Sequence, residues 1–168
     1  MKPTYQVGDK VVHPIYGAGV VTGISQKSIA GDLRHYYIIE PMTYDMRIMV
    51  SVEKAKDVGL RDVLKHSGIA RILRVLRSTP DELISDYKER QSLAAEKLCS
   101  ANPIEIAEVM RNLSWLQKQK GHLGAKDRKL LDRARNLLAG EMAVAEDLDL
   151  ENALARIETA LGLDEDDE

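Results

Sequence analysis

The N-terminal third of the chain is built from short, β-branched runs in which apolar and polar residues alternate. Such runs occupy residues 7–13, 19–29, 36–40 and 46–52, and each predicts a strand. Turn-forming residues at positions 14–17 and 30–32 separate the first three runs. The pattern predicts a small, strongly curved antiparallel sheet or barrel of the Tudor or SH3 type, with four or five strands.

After Gly59 the period changes, and apolar residues recur three or four positions apart, as on one face of a helix. This predicts an all-helical region of about five helices, and so an α+β fold. The first helix is centred on residues 69–76, and Pro80 prevents it from continuing. Asp81 or Ser85 is predicted to cap the second, which runs through Leu98.

The remaining helices carry clear local signals. Asn102 followed by Pro103 predicts a helix start, and Gly121 predicts its end. The stripe predicted to be buried in this third helix consists of Ile106, Val109, Met110, Leu113 and Leu116. The fourth helix is predicted at residues 125–146, with its inward positions at Leu130, Leu131, Ala134, Leu137 and Leu138. The fifth is predicted at residues 150–161.

The change of period divides the chain into a β domain at residues 1–58, a helical domain at residues 59–162 and an acidic tail at residues 163–168. We expect the tail to be solvated and disordered. No linker rich in Pro, Gly or Ser separates the two domains, so we expect them to pack closely.

Composition and motifs narrow the class of protein. With no Phe and 4% aromatic residues, the core must be mainly aliphatic. One cysteine and four scattered histidines give neither a disulfide nor a zinc spacing, and no apolar stretch is long enough to span a membrane. No nucleophile elbow, metalloprotease motif or phosphate loop is present. We therefore expect a cytoplasmic protein without a metal or cofactor, and not an enzyme.

The opening run VGDKVVHPIYGAGVVTGI, at residues 7–24, resembles the signature of the CarD/CdnL family. The N-terminal module of that family also occurs in transcription-repair coupling factors. VGLRDVL at residues 58–64, EIAEVMRNL at 105–113 and RKLLDRARNLLAGEMAVAE at 128–146 extend the resemblance over almost the whole chain. The resemblance implies a Tudor-like domain that binds the β subunit of RNA polymerase and a helical domain that contacts promoter DNA at the upstream edge of the bubble, which stabilises the open complex.

In this family an edge strand adds to a sheet of the polymerase, and residues 45–52 match that strand. The resemblance assigns the contact to Arg47, Ile48 and Met49, with Lys27 at a further basic position. This chain has Met49 where many relatives have a basic residue. Alternatively, Ile48 fills the core while Arg47 and Met49 merely face water, and Lys27 is an ordinary solvated charge.

The resemblance also implies the DNA-contacting residues. Relatives carry a tryptophan wedge after Pro80, where this chain has Tyr87. Basic positions beside the wedge are replaced by Glu89 and Ser92, so only Lys88 and Arg90 remain. Tyr87 could instead be a half-buried packing residue.

Arg128 matches a basic DNA-contacting position, and Lys126, Lys129 and Arg133 could extend the patch. The alternative is a solvated helix face whose charge is offset by neighbouring acidic residues, Asp127 and Asp132.

Trp115, the only tryptophan, falls at the margin of the apolar stripe, which favours packing between helices or domains over a partner site. The net charge of −3 is not that of a protein that holds DNA unaided. We therefore predict a monomeric transcription regulator with weak, largely sequence-independent DNA contact. The alternative is a polymerase-bound adaptor whose helical domain binds another protein.

Overall fold

In the computed structural model, which describes residues 2–163, a five-stranded antiparallel sheet precedes the helical region. The strands are β1 (Lys10–His13), β2 (Gly17–Ile29), β3 (Asp32–Pro41), β4 (Ile48–Ser51) and β5 (Arg61–Asp62). Their order in the sheet is β4-β3-β2-β1-β5. The predicted α+β fold class is confirmed. Apart from Leu163, the predicted acidic tail at residues 163–168 lies outside the described residues.

The helices are α1 (Ala55–Val58), α2 (His66–Arg77), α3 (Tyr87–Cys99), α4 (Pro103–Lys120), α5 (Ala125–Glu146) and α6 (Leu150–Leu161). The predicted bounds of α5 and α6 are confirmed. Asn102 caps α4, since its Oδ1 accepts the Ile104 N–H at 3.0 Å, and Gly121 ends that helix with φ 76°. The five stripe positions predicted for α4 are all buried.

The β2–β3 hairpin is longer than its neighbours. Ala30 and Gly31 both have positive φ at its turn, the combination that a two-residue hairpin loop of type I′ requires. Only the first residues of β2 pair with β1, and only the second half of β3 pairs with β4, so the tip of the hairpin extends beyond the rest of the sheet.

The helical region covers one end of the sheet. α5 packs across β2 and β1, where Val144 joins Val12 and Ala18 in a small shared core. The separate core of the β domain includes Val11, Tyr37, Ile39 and Val50. Because α5 lies over β1 and β2, the two domains pack closely, as expected, and β4 lies at the far side of the sheet.

Strand β5, which had no counterpart in the sequence prediction, lies after the expected domain boundary at residue 58 and pairs with β1. Its Arg61 guanidinium donates to both carboxylate oxygens of Glu141 on α5, at 2.7 and 2.9 Å. Glu141 also accepts the Leu64 N–H at 2.9 Å, and Arg61 donates to the Ala101 carbonyl oxygen. This ion pair, whose carboxylate is buried, ties the sheet to the helical region.

His13 ends β1, and its ring Nδ1 accepts the N–H of Ile15 at 3.1 Å. Burial lowers the pKa of His13, so the folded state favours the neutral ring. Since the unfolded chain then binds more protons, we expect stability to fall as the pH drops from about 6.5 toward the lowered pKa. Urea unfolding across this range should show a smaller decline for His13→Asn than for wild type or for His122→Gln, which alters an exposed histidine. An identical decline in all three proteins would contradict this expectation.

Candidate functional site

Strand β4 forms one edge of the sheet. Within the described residues it pairs with β3 alone, with Met49 opposite Ile38 and Val50 opposite Tyr37. The helical region packs on β1 and β2 instead. Among the described residues, no strand pairs with the outer side of β4.

The register shows which peptide groups face the open side. The Val52 N–H donates to the His35 carbonyl oxygen at 3.0 Å, so these two residues form a hydrogen-bonded pair. Because such pairs alternate in an antiparallel ladder, Val50 and Ile48 also bond to β3. Both peptide groups of Met49 and the N–H of Ser51 consequently point outward, where they can pair with another strand, whereas the Ser51 carbonyl oxygen already accepts the Lys54 N–H at 3.1 Å.

Side chains of β4 alternate in the same way. Met49 is 42% exposed, whereas Val50 is buried and Ile48 packs against the core of the β domain. Arg47 is exposed and forms an ion pair with Glu40 at 2.9 Å. Ile48 was predicted as a contact residue, but its side chain and its peptide group both face the protein, so we leave it out of the proposed contact.

Lys27 lies on the same face of the sheet as Met49. It pairs with Arg34 across the β2–β3 hairpin, and Arg34, Tyr36 and Ile38 alternate along β3 up to the position opposite Met49. Lys27 and Arg34 form no ion pair among the described residues. Since like charges directly opposite each other are destabilising, this pair favours an anionic partner. Sequence reasoning did not find Arg34, which becomes a candidate only through its register with Lys27.

Helix α3 begins at Tyr87, whose side chain is 57% exposed. Its cap is Asp86, whose Oδ1 accepts the N–H groups of Lys88 at 2.8 Å and Glu89 at 3.2 Å. The predicted cap, Asp81 or Ser85, was wrong. The Asp81 carboxylate instead pairs with Arg111 of α4 at 2.7 Å. Helix α3 begins farther along the chain, at Tyr87.

The Asp86 cap stabilises the first turn of α3, where Tyr87 lies, and its contribution to the free energy of unfolding can be measured. Asp86→Ala should lower the free energy of unfolding by about 1 kcal/mol, because two N–H groups of the first turn lose their acceptor. Asp86→Asn keeps a side-chain oxygen in place and should be nearly neutral. Chemical denaturation of both variants checks this, and equal stabilities of the alanine and asparagine variants would contradict it.

A buried ion pair joins the first turns of α3 and α5. The Arg90 guanidinium lies 3.0 Å from the Asp127 carboxylate, with side chains 12% and 8% exposed, and it also donates to the Ile84 carbonyl oxygen. Arg90 was predicted to contact DNA, but its guanidinium is engaged inside the protein. We therefore assign it to positioning and leave it out of the proposed DNA contact.

The Arg90–Asp127 pair joins the two helices that carry the predicted DNA residues. Tyr87 and Lys88 lie on α3, while Lys126, Arg128 and Lys129 are exposed on α5. Asp127 was expected to offset these charges, but it is buried. Arg128 also donates to the Leu123 carbonyl oxygen at 3.3 Å.

The first turn of α5 adds to this positive surface. Gly124 caps the helix without a side-chain acceptor, so the first N–H groups are open to an anion, although the buried Asp127 carboxylate in the same turn offsets part of the helix dipole. Farther along α5, Lys129 and Arg133 share a shallow groove with Tyr44 of the loop between β3 and β4. The basic surface thus reaches the β domain, although Asp132 lines the same groove and reduces its charge.

Trp115, for which packing was favoured, is 42% exposed. Its ring lies beside Leu76 and Pro80 in a groove formed by α2, α4 and the end of α6, away from the interface between the domains. Trp115 therefore packs on the helical region but leaves part of its ring open to solvent.

Among the described residues there is no cluster of three or more metal-ligating side chains, and no helix is both long and apolar enough to cross a membrane.

Comparison with known proteins agrees with the two-part architecture. A model of the CarD-like/TRCF RID domain matches residues 5–64, and a model of the CarD C-terminal domain matches residues 71–158. The chain is also similar to a protein of Bacillus subtilis (strain 168) named "Putative transcription factor YdeB". The two are 28% identical over 140 residues, which cover 83% of this chain and 91% of the relative. The protein therefore belongs to the CarD family of transcription regulators.

Proposed function

We propose that this protein binds the β subunit of RNA polymerase through the open edge of β4 and contacts promoter DNA through the surface formed by α3 and α5. The open complex is stabilised because one molecule holds both partners. The observation that supports this most strongly is the β4 edge, which pairs with no second strand within the described residues and offers outward N–H groups at Met49 and Ser51 and an outward carbonyl at Met49.

Addition of a strand to this edge explains how the polymerase contact is made. Main-chain hydrogen bonds supply affinity, and the side chains on the exposed face supply specificity. Each bond contributes about 0.5–1.5 kcal/mol, so the face must add to the contact. Met49 offers a flexible apolar surface, and Lys27 and Arg34, farther along the same face of the sheet, add positive charge, whereas the charge of Arg47 is offset by its ion pair with Glu40.

The DNA contact is weaker and depends on the polymerase contact. Tyr87 can stack on an unpaired base at the bubble edge, an interaction worth about 1–3 kcal/mol for an aromatic ring. Lys88, Lys126, Arg128 and Lys129 are exposed, and in this proposal they contact phosphates. Binding to polymerase raises the local concentration of DNA to about the millimolar range, so an isolated affinity of only about 10⁻⁴ M suffices.

The Arg61–Glu141 pair and the shared core at Val144 hold the two surfaces in a fixed relation, as a bridging protein requires. We further propose that the protein acts as a monomer in the cytoplasm, on the nucleoid, without a cofactor.

The double variant Tyr87→Ala, Arg128→Ala tests the DNA contact in the full-length protein. We expect it to bind polymerase normally but to shorten the lifetime of the promoter open complex about 10-fold or more, because the stacking ring and one phosphate contact are lost. Lys54→Ala, Lys56→Ala removes exposed cations on the β domain and serves as the control. An unchanged lifetime in the Tyr87, Arg128 variant would favour the adaptor alternative, in which the helical domain binds a protein.

A further inference from the structure

The groove beside Trp115 is a third surface, separate from the two described above. It has a volume of about 330 Å³, a size that accommodates a few side chains. Its apolar lining includes Leu76, Pro80, Leu161 and Leu163, and the last of these is 43% exposed. A half-exposed tryptophan in an apolar groove is typical of the residues that dominate protein interfaces.

Every charged residue that lines this groove in the described chain is a cation: Arg77, Arg111 and Lys118. Arg111 already pairs with Asp81. Arg77 continues a row of exposed arginines on α2 with Arg71 and Arg74, and α2 contains no acidic residue. None of these three arginines forms an ion pair or side-chain hydrogen bond within residues 2–163.

This row concentrates positive charge on one helix of a chain whose net charge is −3. Some other cations, such as Lys10, Lys97 and Arg156, are engaged in ion pairs. Exposed arginines left unpaired beside an apolar groove favour a partner that brings carboxylates, because guanidinium groups bind carboxylates with two parallel hydrogen bonds.

The groove also lies apart from the proposed DNA surface. α2 packs on α4 and α6, whereas α3 packs on α4 and α5, so the Trp115 groove and the first turns of α3 and α5 are formed by different helix pairs. Its concave, apolar lining suits an inserted aliphatic side chain better than a phosphate backbone, which needs an open track of cations.

We propose that this groove binds an acidic protein segment, which inserts an apolar side chain against Trp115 and pairs its carboxylates with Arg74 and Arg77. The segment is amphipathic, with apolar residues three or four positions apart and acidic residues between them. A CarD-family protein with this site can bind a protein partner while the β4 edge stays free for polymerase and the α3–α5 surface stays free for DNA.

The single tryptophan makes the test direct, because tryptophan emission, excited selectively over that of the six tyrosines, comes from Trp115 alone, within the proposed site. The probe is a 14-residue peptide of Asp, Glu and Leu, with Leu three and four positions apart. We expect a saturable change in tryptophan emission. A peptide with Ala at every Leu position, and one with Lys at every acidic position, should each bind at least 10-fold more weakly.

Two protein variants with the same loss of charge separate a specific site from general attraction. Arg74→Ala, Arg77→Ala should weaken binding of the acidic peptide at least 10-fold, whereas Lys54→Ala, Lys56→Ala should leave it unchanged. Circular dichroism checks that both variants are folded. Calorimetry with Trp115→Leu gives a readout independent of fluorescence and should show weaker binding.

Three results would overturn the proposal: no saturable response, equal losses in the two double variants, or tighter binding of a 20-base-pair DNA duplex at the same groove.

Discussion

Met49→Pro is expected to weaken binding of RNA polymerase by about 10- to 100-fold while the protein stays folded. Proline has no N–H, and the Met49 N–H is one of the groups that point away from β3. The polymerase strand then keeps a carbonyl oxygen without a donor, at a cost of about 1–3 kcal/mol. Proline is tolerated on an edge strand when its nitrogen faces outward, so the sheet itself should survive.

The matched control is Met49→Leu, which retains the peptide N–H and a side chain of similar volume. We expect its affinity for polymerase to stay within about 3-fold of wild type. Surface-immobilised polymerase and full-length variants provide the measurement. If the proline variant binds as tightly as the leucine variant, the main-chain edge makes no contact and the proposed docking fails.

Arg61→Met is expected to lower the free energy of unfolding by about 3–5 kcal/mol, because it leaves the Glu141 carboxylate buried without its counter-ion. Glu141 is 4% exposed and would keep only the Leu64 N–H as a donor. Domains of this kind are stable by about 5–15 kcal/mol in total, so the loss is a large fraction. Urea unfolding followed by circular dichroism measures it.

The double variant Arg61→Met, Glu141→Leu distinguishes a buried charge from a general packing defect. Replacing both members of a buried ion pair with apolar residues is often nearly neutral, so we expect the double variant to regain most of the lost stability. If the double variant is less stable than Arg61→Met alone, the Glu141 carboxylate stabilises this interface even without Arg61. The loss in Arg61→Met would then not come from an unpaired buried charge.

Elements with strong local signals were predictable from sequence. The Asn102 cap and the Gly121 end define helix α4. In α5, a long run of apolar residues three or four positions apart predicted both ends of the helix. Strand β5 was missed because its two residues, Arg61 and Asp62, carry no period of their own and become a strand only by pairing with β1.

The functional surfaces were harder to predict, because they depend on contacts between distant positions. Arg90 and Asp127 are paired across 37 positions, and Arg61 and Glu141 across 80. No local pattern could show that Arg90 is engaged inside the protein while Arg128 remains at the surface. Ile48 was placed in the polymerase contact by resemblance, although strand alternation alone already favoured an inward side chain.

Hydrogen exchange of the β4 amides, measured residue by residue with and without RNA polymerase, tests the central claim most directly. We predict that the Met49 and Ser51 amides exchange rapidly in the free protein and become strongly protected in the complex, while the Ile48 and Val50 amides are protected in both states. If polymerase binds while exchange at Met49 and Ser51 stays as fast as in the free protein, the edge of β4 is not the binding site.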